Sequence, residues 1–229
     1  RSTKYLLNSA PFTPALKLMH TRIKICGITS LSSAAAAIEA GVDALGFNMY
    51  ERSIRFIGVD AANEILRELP SSTIKVGLFV NHSEDEVLSI TQRCSFDVLQ
   101  FHGDEDNSFC ASFSKPFMKA IRVGRETDIA SEVARYPDSV AVLLDSLVKG
   151  KFGGTGISFD WQNVPKLTKP VFLAGGLDVN NVSEAVRTVS PYAVDVSGGV
   201  ESSPGEKDPE LIRAFVHAVQ ATNQIEELR

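Results

Sequence analysis

From residue 22 onward, short apolar runs alternate with amphipathic stretches, and this pattern repeats eight times along the chain. The apolar runs are mostly rich in β-branched residues, which is typical of strands that are buried on both faces. They predict strands at 22–26, 42–47, 74–80, 97–101, 117–121, 140–144, 170–174 and 192–196. The amphipathic stretches predict helices near 30–40, 60–69, 83–93, 105–114, 127–135, 160–167, 178–188 and 207–222.

Two of the predicted helices begin with capping signals. Ser83 is followed three residues later by Glu86, which is the sequence pattern of a capping box. Asp208 precedes Pro209, and this pair predicts an N-cap followed by proline at the first helical position. These signals favour helices, rather than loops, in the third and the last of the amphipathic stretches.

The alternation of strands and helices requires right-handed crossovers and a parallel sheet. Eight such units in about 200 residues favour a closed (β/α)8 TIM barrel of the α/β class. An open doubly wound sheet would leave two units over and would usually show a GxGxxG turn after its first strand, whereas the turn here reads CGITS. We therefore expect one barrel domain over residues 21–229. Residues 1–20 match the pattern poorly and are expected to form an N-terminal extension outside the fold. A targeting segment is the alternative, because these residues are basic and include no acidic one.

The composition narrows the class of protein and its partners. Hydrophobic residues make up 44% of the chain and charged residues 22%, and the net charge of −5 gives no electrostatic reason to expect nucleic acid. The three cysteines, Cys26, Cys94 and Cys110, form no CxxC pair, which argues against a disulfide framework or a zinc site and suits a reducing cytosol. No apolar run approaches the roughly 20 residues needed to cross a bilayer. We expect a cytoplasmic monomer or homodimer without a metal or membrane partner.

Glycine-rich turns follow the last two predicted strands, where (β/α)8 barrels commonly bind phosphate. Strand 7 leads into Gly175 and Gly176, and strand 8 into Ser197 and Gly198. Glycines let backbone N–H groups approach an anion closely, and a helix N-terminus adds partial positive charge. Either turn alone could serve only to reverse the chain. Their occurrence on adjacent strands predicts a phosphate held mainly by main-chain groups.

A thiol and a carboxyl group end two other strands on the face where barrel enzymes carry their chemistry. Cys26 ends strand 1 and Asp145 follows strand 6. A cysteine is often only a small buried hydrophobe, and an aspartate here could simply cap the next loop. The segment 146–156 is long and glycine-rich, which suits a loop over a site. The pair is thus a candidate for proton transfer, with the structural alternative left open.

Several segments resemble the phosphoribosylanthranilate isomerase family of tryptophan biosynthesis. The similarity spans residues 22–216 and rests on KICGIT (24–29), QFHGDE (100–105), LLDS (143–146), GGTG (153–156), FDW (159–161), LAGGLDVNNV (173–182) and VDVSGGVESSPGEKD (194–208). The resemblance implies a cofactor-free Amadori rearrangement of N-(5'-phosphoribosyl)anthranilate to 1-(2-carboxyphenylamino)-1-deoxyribulose 5-phosphate. It assigns Asp145 as the general acid that opens the ribose ring and Cys26 as the general base that removes the C2 proton.

The resemblance also suggests roles for four binding residues. Arg55 matches the arginine that binds the anthranilate carboxylate, and a guanidinium fork suits that group. Gln100 and His102 are expected to order the site, and Asp195 is expected to contact the ribose hydroxyls. The chain departs from the family pattern at several positions near these motifs: Asn48, Met49, Glu51, Ile157 and Gly198.

Other barrels that bind sugar phosphates fit the residues less well. An indole-glycerol-phosphate synthase needs a lysine as general acid, and no predicted strand end offers one. A histidine-pathway isomerase uses an aspartate where this chain has Cys26, and a metal-dependent epimerase needs clustered histidines and acids. A barrel that only senses an anionic metabolite would keep the glycine turns but would have no need of both Cys26 and Asp145.

Overall fold

Eight parallel strands, paired in chain order, close into a barrel in the computed structural model, which describes residues 20–146 and 159–227. β1 pairs with both β2 and β8, so the first and last strands complete the cylinder. The predicted (β/α)8 barrel is confirmed. The strands are β1 (Arg22–Cys26), β2 (Ala44–Asn48), β3 (Ile74–Phe79), β4 (Val98–Phe101), β5 (Phe117–Val123), β6 (Ala141–Ser146), β7 (Val171–Leu173) and β8 (Ala193–Val196).

Helices follow most of the strands and cover the outside of the barrel. They are α1 (Leu31–Glu39), α2 (Val59–Glu68), α3 (Glu84–Arg93), α4 (Asn107–Ala111), α5 (Ile129–Ala134), α6 (Val182–Val189) and α7 (Pro209–Glu227). The Ser83 capping box is present, and Asp208 accepts hydrogen bonds from the backbone N–H groups of Glu210 and Leu211. Of the helices in the described ranges, none has the length and apolar character that a bilayer crossing requires.

The prediction of a helix at 160–167 is wrong. Only a short 3-10 turn, Trp161–Asn163, forms there. Val164 precedes Pro165 and is extended, with φ −75° and ψ 114°. A proline disfavours helical geometry at the residue before it, so the turn cannot extend into a helix. The helix predicted at 178–188 does form, but it begins only at Val182.

The barrel interior changes from apolar to polar along its axis. Alternate strand residues point inward, because successive side chains of a strand lie on opposite faces. The interior apolar cluster includes Val98, Leu143 and Ala193, each followed two residues later by an inward polar side chain. Four of the buried polar residues lie toward the C-terminal ends of their strands: Lys24, Gln100, Asp145 and Asp195. The polar part of the interior therefore faces the C-terminal mouth of the barrel.

After β8 the chain crosses this mouth before it enters α7. A 3-10 turn, Gly198–Val200, leads into the short strands β9 (Glu201–Ser203) and β10 (Glu206–Lys207), which pair antiparallel. This hairpin returns Glu201 and Lys207 to the neighbourhood of the strand ends.

Candidate active site

A cavity of about 850 Å³ opens at the C-terminal ends of the strands. Its lining brings together every residue for which the sequence suggested a role in catalysis or binding. The described part of its wall includes Cys26, Arg55, Gln100, His102, Asp145, Gly175, Gly176, Asp195, Ser197 and Gly198. Residues 147–156 of the segment predicted to cover this site, and Ile157 after it, lie outside the described residues.

Asp145 is buried and held on both of its carboxylate oxygens. The Ser146 N–H donates to Oδ1 at 2.8 Å, and Oδ2 lies 3.1 Å from Nε2 of His102. On the other side of the ring, the Gln100 amide Nε2 lies 3.1 Å from Nδ1 of His102. With the amide nitrogen of Gln100 as donor, Nδ1 accepts, and the tautomer assigned to the ring carries its proton on Nε2, facing Asp145. The two residues therefore form a chain that fixes the orientation of the carboxyl group.

Cys26 lies at the end of β1 with only 7% of its surface exposed. Lys24, two residues earlier on the same face of the strand, is fully buried and forms an ion pair with Asp195, Nζ to Oδ1 at 2.8 Å. Burial raises the pKa of the Cys26 thiol above its ordinary value, while the Lys24 ammonium opposes that rise. Burial also lowers the pKa of Lys24, but Asp195 and Cys26 outweigh it and raise the pKa overall. The lysine is therefore a cation beside the thiol.

Arg55 reaches the mouth from the segment after β2 and forms an ion pair with Glu201. Its Nε and Nη2 donate to the two oxygens of Glu201 at 2.6 and 2.8 Å. Lys207 adds a second cation, Nζ to Oε1 at 2.7 Å. Although burial raises the pKa of Glu201, the hydrogen bonds from Arg55 and Lys207 lower it to about 2. One edge of the Arg55 guanidinium is thus occupied by the protein itself.

The two glycine turns pack against each other and against β6. Gly175 and Gly176 have φ of +82° and +69°, a region that side chains disfavour. A Cβ on Gly175 would lie 2.3 Å from Ser146 Oγ. A Cβ on Gly199, in the turn after β8, would lie 2.0 Å from the Leu177 carbonyl oxygen in the turn after β7. Glycine is therefore required for these turns to approach so closely.

Cations lie beside the turn after β8, although its own sequence contains none. Lys207 Nζ donates to the carbonyl oxygen and the Oγ of Ser197, at 3.0 and 3.1 Å. Ser197 Oγ in turn donates to the carbonyl oxygen of Cys26 at 2.8 Å. An added Cβ on Gly198 would lie 3.3 Å from Nη2 of Arg55. The turn therefore combines main-chain donors with two positive charges from other segments.

Sequence reasoning missed four residues of this site. Lys24 was detectable in principle, since a charge inside a buried strand two residues before Cys26 must point the same way. Gly46 lies on β2 beside Cys26, since a Cβ there would be 2.9 Å from Cys26 Sγ, and only the fold brings the two together. Glu201 and Lys207 fall within the motif at 194–208, but they reach the mouth only through the hairpin after β8. Glu51, one of the departures from the family pattern, is exposed. Among the described residues, no cluster of three or more histidine, cysteine or acidic side chains could hold a metal ion.

Comparison with known proteins identifies the family. The family described as N-(5'phosphoribosyl)anthranilate (PRA) isomerase matches residues 23–218. The N-(5'-phosphoribosyl)anthranilate isomerase of Hahella chejuensis is 55% identical over 199 residues, covering 86% of this chain and 93% of that protein.

Solved structures agree with this assignment. The phosphoribosyl anthranilate isomerase of Thermotoga maritima superposes with a TM-score of 0.80 at 35% identity, covering 88% of this chain and 99% of that one. A phosphoribosyl anthranilate isomerase in complex with reduced 1-(o-carboxyphenylamino)-1-deoxyribulose 5-phosphate gives 0.76 at 33%, with the same coverage. The chain therefore belongs to the N-(5'-phosphoribosyl)anthranilate isomerase family and is an isomerase.

Proposed function

We propose that this chain converts N-(5'-phosphoribosyl)anthranilate to 1-(2-carboxyphenylamino)-1-deoxyribulose 5-phosphate, with Asp145 as general acid and Cys26 as general base. The observation that carries the assignment of roles is that both side chains face one cavity, beside two glycine turns suited to phosphate. The family supports the substrate, since its relatives are named for this reaction.

In the first step, Asp145 protonates the ring oxygen of the ribose. The C1–O bond then breaks while the anilino nitrogen lone pair forms a C1=N bond, so that a protonated Schiff base results. The hydrogen bonds from Ser146 and His102 occupy one lone pair on each oxygen of Asp145 and leave the others for the transferred proton. His102, aligned by Gln100, thus keeps the acid in one orientation.

In the second step, the Cys26 thiolate takes the proton from C2. The electrons of the C2–H bond form a C1=C2 bond, and the C=N electrons return to nitrogen. The resulting enolamine tautomerises to the ketone when its C2 hydroxyl loses a proton and C1 gains one. A positioned base contributes about 10²- to 10⁴-fold to such a step.

Substrate binding divides between the phosphate, the ribose and the carboxylate. The main-chain N–H groups of Gly175, Gly176, Ser197 and Gly198 would hold the phosphate, helped by nearby cations. Asp195 Oδ1 is taken by Lys24, so Oδ2 is the atom left for a ribose hydroxyl. Arg55 would bind the anthranilate carboxylate through Nη1 and the second N–H of Nη2, because Glu201 occupies the edge formed by Nε and the first N–H of Nη2.

Turnover of freshly generated phosphoribosylanthranilate, followed by the loss of its fluorescence, tests this function. We expect rapid decay with the wild type and a loss of at least about 100-fold in Cys26→Ala and Asp145→Asn. Cys110→Ala is the matched control, since this buried thiol lies in α4 and should not affect turnover. Circular dichroism checks that each variant is folded.

Two outcomes would contradict the proposal. Near-wild-type turnover in Cys26→Ala would show that the thiol is not the general base. An inactive wild type that still binds a product analogue would indicate a sensor or an enzyme with another substrate. The absence of a cofactor and of a nucleic-acid partner, the cytoplasmic location and the monomeric or homodimeric state stay predictions.

A further inference from the structure

Lys24 is a fully buried charge whose side chain points into the barrel mouth. It lies on the same face of β1 as Cys26, since residues two apart on a strand point the same way. Burying an ammonium group is costly unless it is paired. Asp195 supplies that pair across the β1–β8 seam, at 2.8 Å. A lysine at this position therefore costs desolvation free energy that an apolar side chain would not.

Gly46 on the neighbouring strand β2 brings the ammonium and the thiol together. A Cβ at this position would lie 2.9 Å from Cys26 Sγ and 3.1 Å from Lys24 Nζ. Both atoms thus occupy the space that a side chain would fill. They consequently fall within the range of about 4–6 Å over which one charge shifts the pKa of another group.

Four charged side chains act on the thiol from the surrounding elements. Lys24 on β1 and Lys207 on β10 favour the thiolate, whereas Asp195 on β8 disfavours it. Arg55, from the segment after β2, also interacts electrostatically with Cys26. Lys24 exerts the largest of the Coulombic effects on the thiol.

We propose that Lys24 is a positioning residue for the reaction, whose ammonium stabilises the thiolate of Cys26 while Asp195 fixes the ammonium and Gly46 leaves room for both. The inference deepens the proposed function, because it explains how a buried thiol can serve as a base. In the reaction the thiol must first lose its proton to solvent, and the Lys24 ammonium favours this loss against the effect of burial; the thiolate then accepts the C2 proton.

The alternative is a purely structural ion pair that ties β1 to β8. A structural pair predicts that loss of either partner disturbs the site in the same way. Electrostatic control of the thiol predicts opposite effects instead. Removing the anion should lower the pKa of Cys26, and removing the cation should raise it.

The test compares Asp195→Asn with the double variant Lys24→Met/Asp195→Asn. The two differ only at Lys24. The double variant removes both charges of the pair, whereas in Asp195→Asn the Cys26 thiolate is the anion left beside the buried ammonium, so circular dichroism checks that both variants are folded. The rate of alkylation of Cys26 by iodoacetamide is measured as a function of pH in the ligand-free protein. Mass spectrometry of the Cys26 peptide separates its signal from those of Cys94 and Cys110.

We expect the midpoint of the rate profile to be lowest in Asp195→Asn, intermediate in the wild type and highest in the double variant. The first and last should differ by about one pH unit or more, which is tenfold in thiolate fraction below both midpoints. Coincident midpoints in the two variants would overturn the inference.

Turnover measured on the wild type separates this inference from the proposed function. If the midpoints differ as expected but phosphoribosylanthranilate is not consumed, control of the thiol by Lys24 stands and the proposed reaction fails. If the substrate is consumed but the midpoints coincide, only the role of Lys24 fails.

Discussion

Glu201 holds two cations on a single carboxylate at the barrel mouth. Arg55 binds both of its oxygens, and Lys207 contacts one of them. Its side chain is 4% exposed, so solvent screens these contacts little. The arrangement fixes the Arg55 guanidinium before any substrate arrives, which reduces the entropy lost when an anion binds.

The contacts of Glu201 with Arg55 and Lys207 predict how the free energy of unfolding depends on pH. The folded-state pKa of Glu201 is about 2, below its ordinary value of 4.5. The folded protein therefore binds fewer protons than the unfolded chain, so the stabilisation is complete above pH 4.5 and is lost as the pH falls toward 2. Glu201→Gln should lower the free energy of unfolding at pH 7 by about 3 kcal/mol and flatten its decline below pH 4.5.

Urea unfolding of both proteins between pH 7 and pH 3 measures the effect. Glu132→Gln is the control, because Glu132 pairs with exposed Arg135 on the surface, where an ion pair contributes little. Parallel pH profiles for the wild type and Glu201→Gln would contradict the prediction.

Strand ends made part of this site predictable. Cys26 and Asp145 follow apolar strands, and the side-chain alternation of a parallel barrel sends such residues to one mouth. The Arg55–Glu201 pair could not be predicted in the same way, because its members are 146 residues apart and meet only through the hairpin after β8. The hydrophobic pattern of either segment does not show that the hairpin after β8 brings Glu201 back to Arg55.

At the scale of elements, the strands were more predictable than the connections between them. All eight strands coincide with the apolar runs, because each must be buried on both faces. The prediction of a helix at 160–167 is wrong because it rests on amphipathic spacing alone. Pro165 disfavours helical geometry at Val164, and the spacing does not show this. Periodicity detects which side chains are buried, whereas backbone restrictions decide whether the segment can be helical.

The contact between the two glycine turns predicts how an added methyl group affects anion binding. In Gly199→Ala the new Cβ would meet the Leu177 carbonyl at 2.0 Å, so the turns after β7 and β8 must separate. We expect the affinity for inorganic phosphate to fall at least about tenfold, since misplaced main-chain donors lose their hydrogen bonds. Isothermal titration calorimetry measures the affinity.

Gly58→Ala is the matched control for this substitution. Gly58 has no atom within 4 Å of an added Cβ and lies at the start of α2, away from the described cavity lining. Its phosphate affinity should equal that of the wild type. Equal phosphate affinities in Gly199→Ala and Gly58→Ala would show that the two glycine turns do not bind phosphate.

For the whole molecule, α7 secures the point at which the barrel begins. Asn223 donates to the carbonyl oxygen of Thr21 and accepts from its N–H, at 3.1 and 2.9 Å. These contacts join α7 to the residue before β1. The barrel is therefore anchored from residue 21 onward by groups within the described fold.

We predict that a chain beginning at His20 keeps the stability of the full chain. In contrast, Asn223→Ala should lower the free energy of unfolding by about 1–3 kcal/mol, since it leaves two backbone groups of Thr21 without their partners. Urea unfolding of the three proteins tests both statements. A large loss of stability in the shortened chain would place residues 1–19 within the folding unit.

The seam between β1 and β8 also has a consequence for synthesis on the ribosome. Lys24 emerges early, but its partner Asp195 follows 171 residues later. Throughout elongation the lysine has no anion from β8, so a dry barrel interior around it would be unfavourable. We therefore expect β1 of the nascent chain to stay hydrated until β8 has left the ribosome. Closure of the barrel is then tied to the emergence of β8.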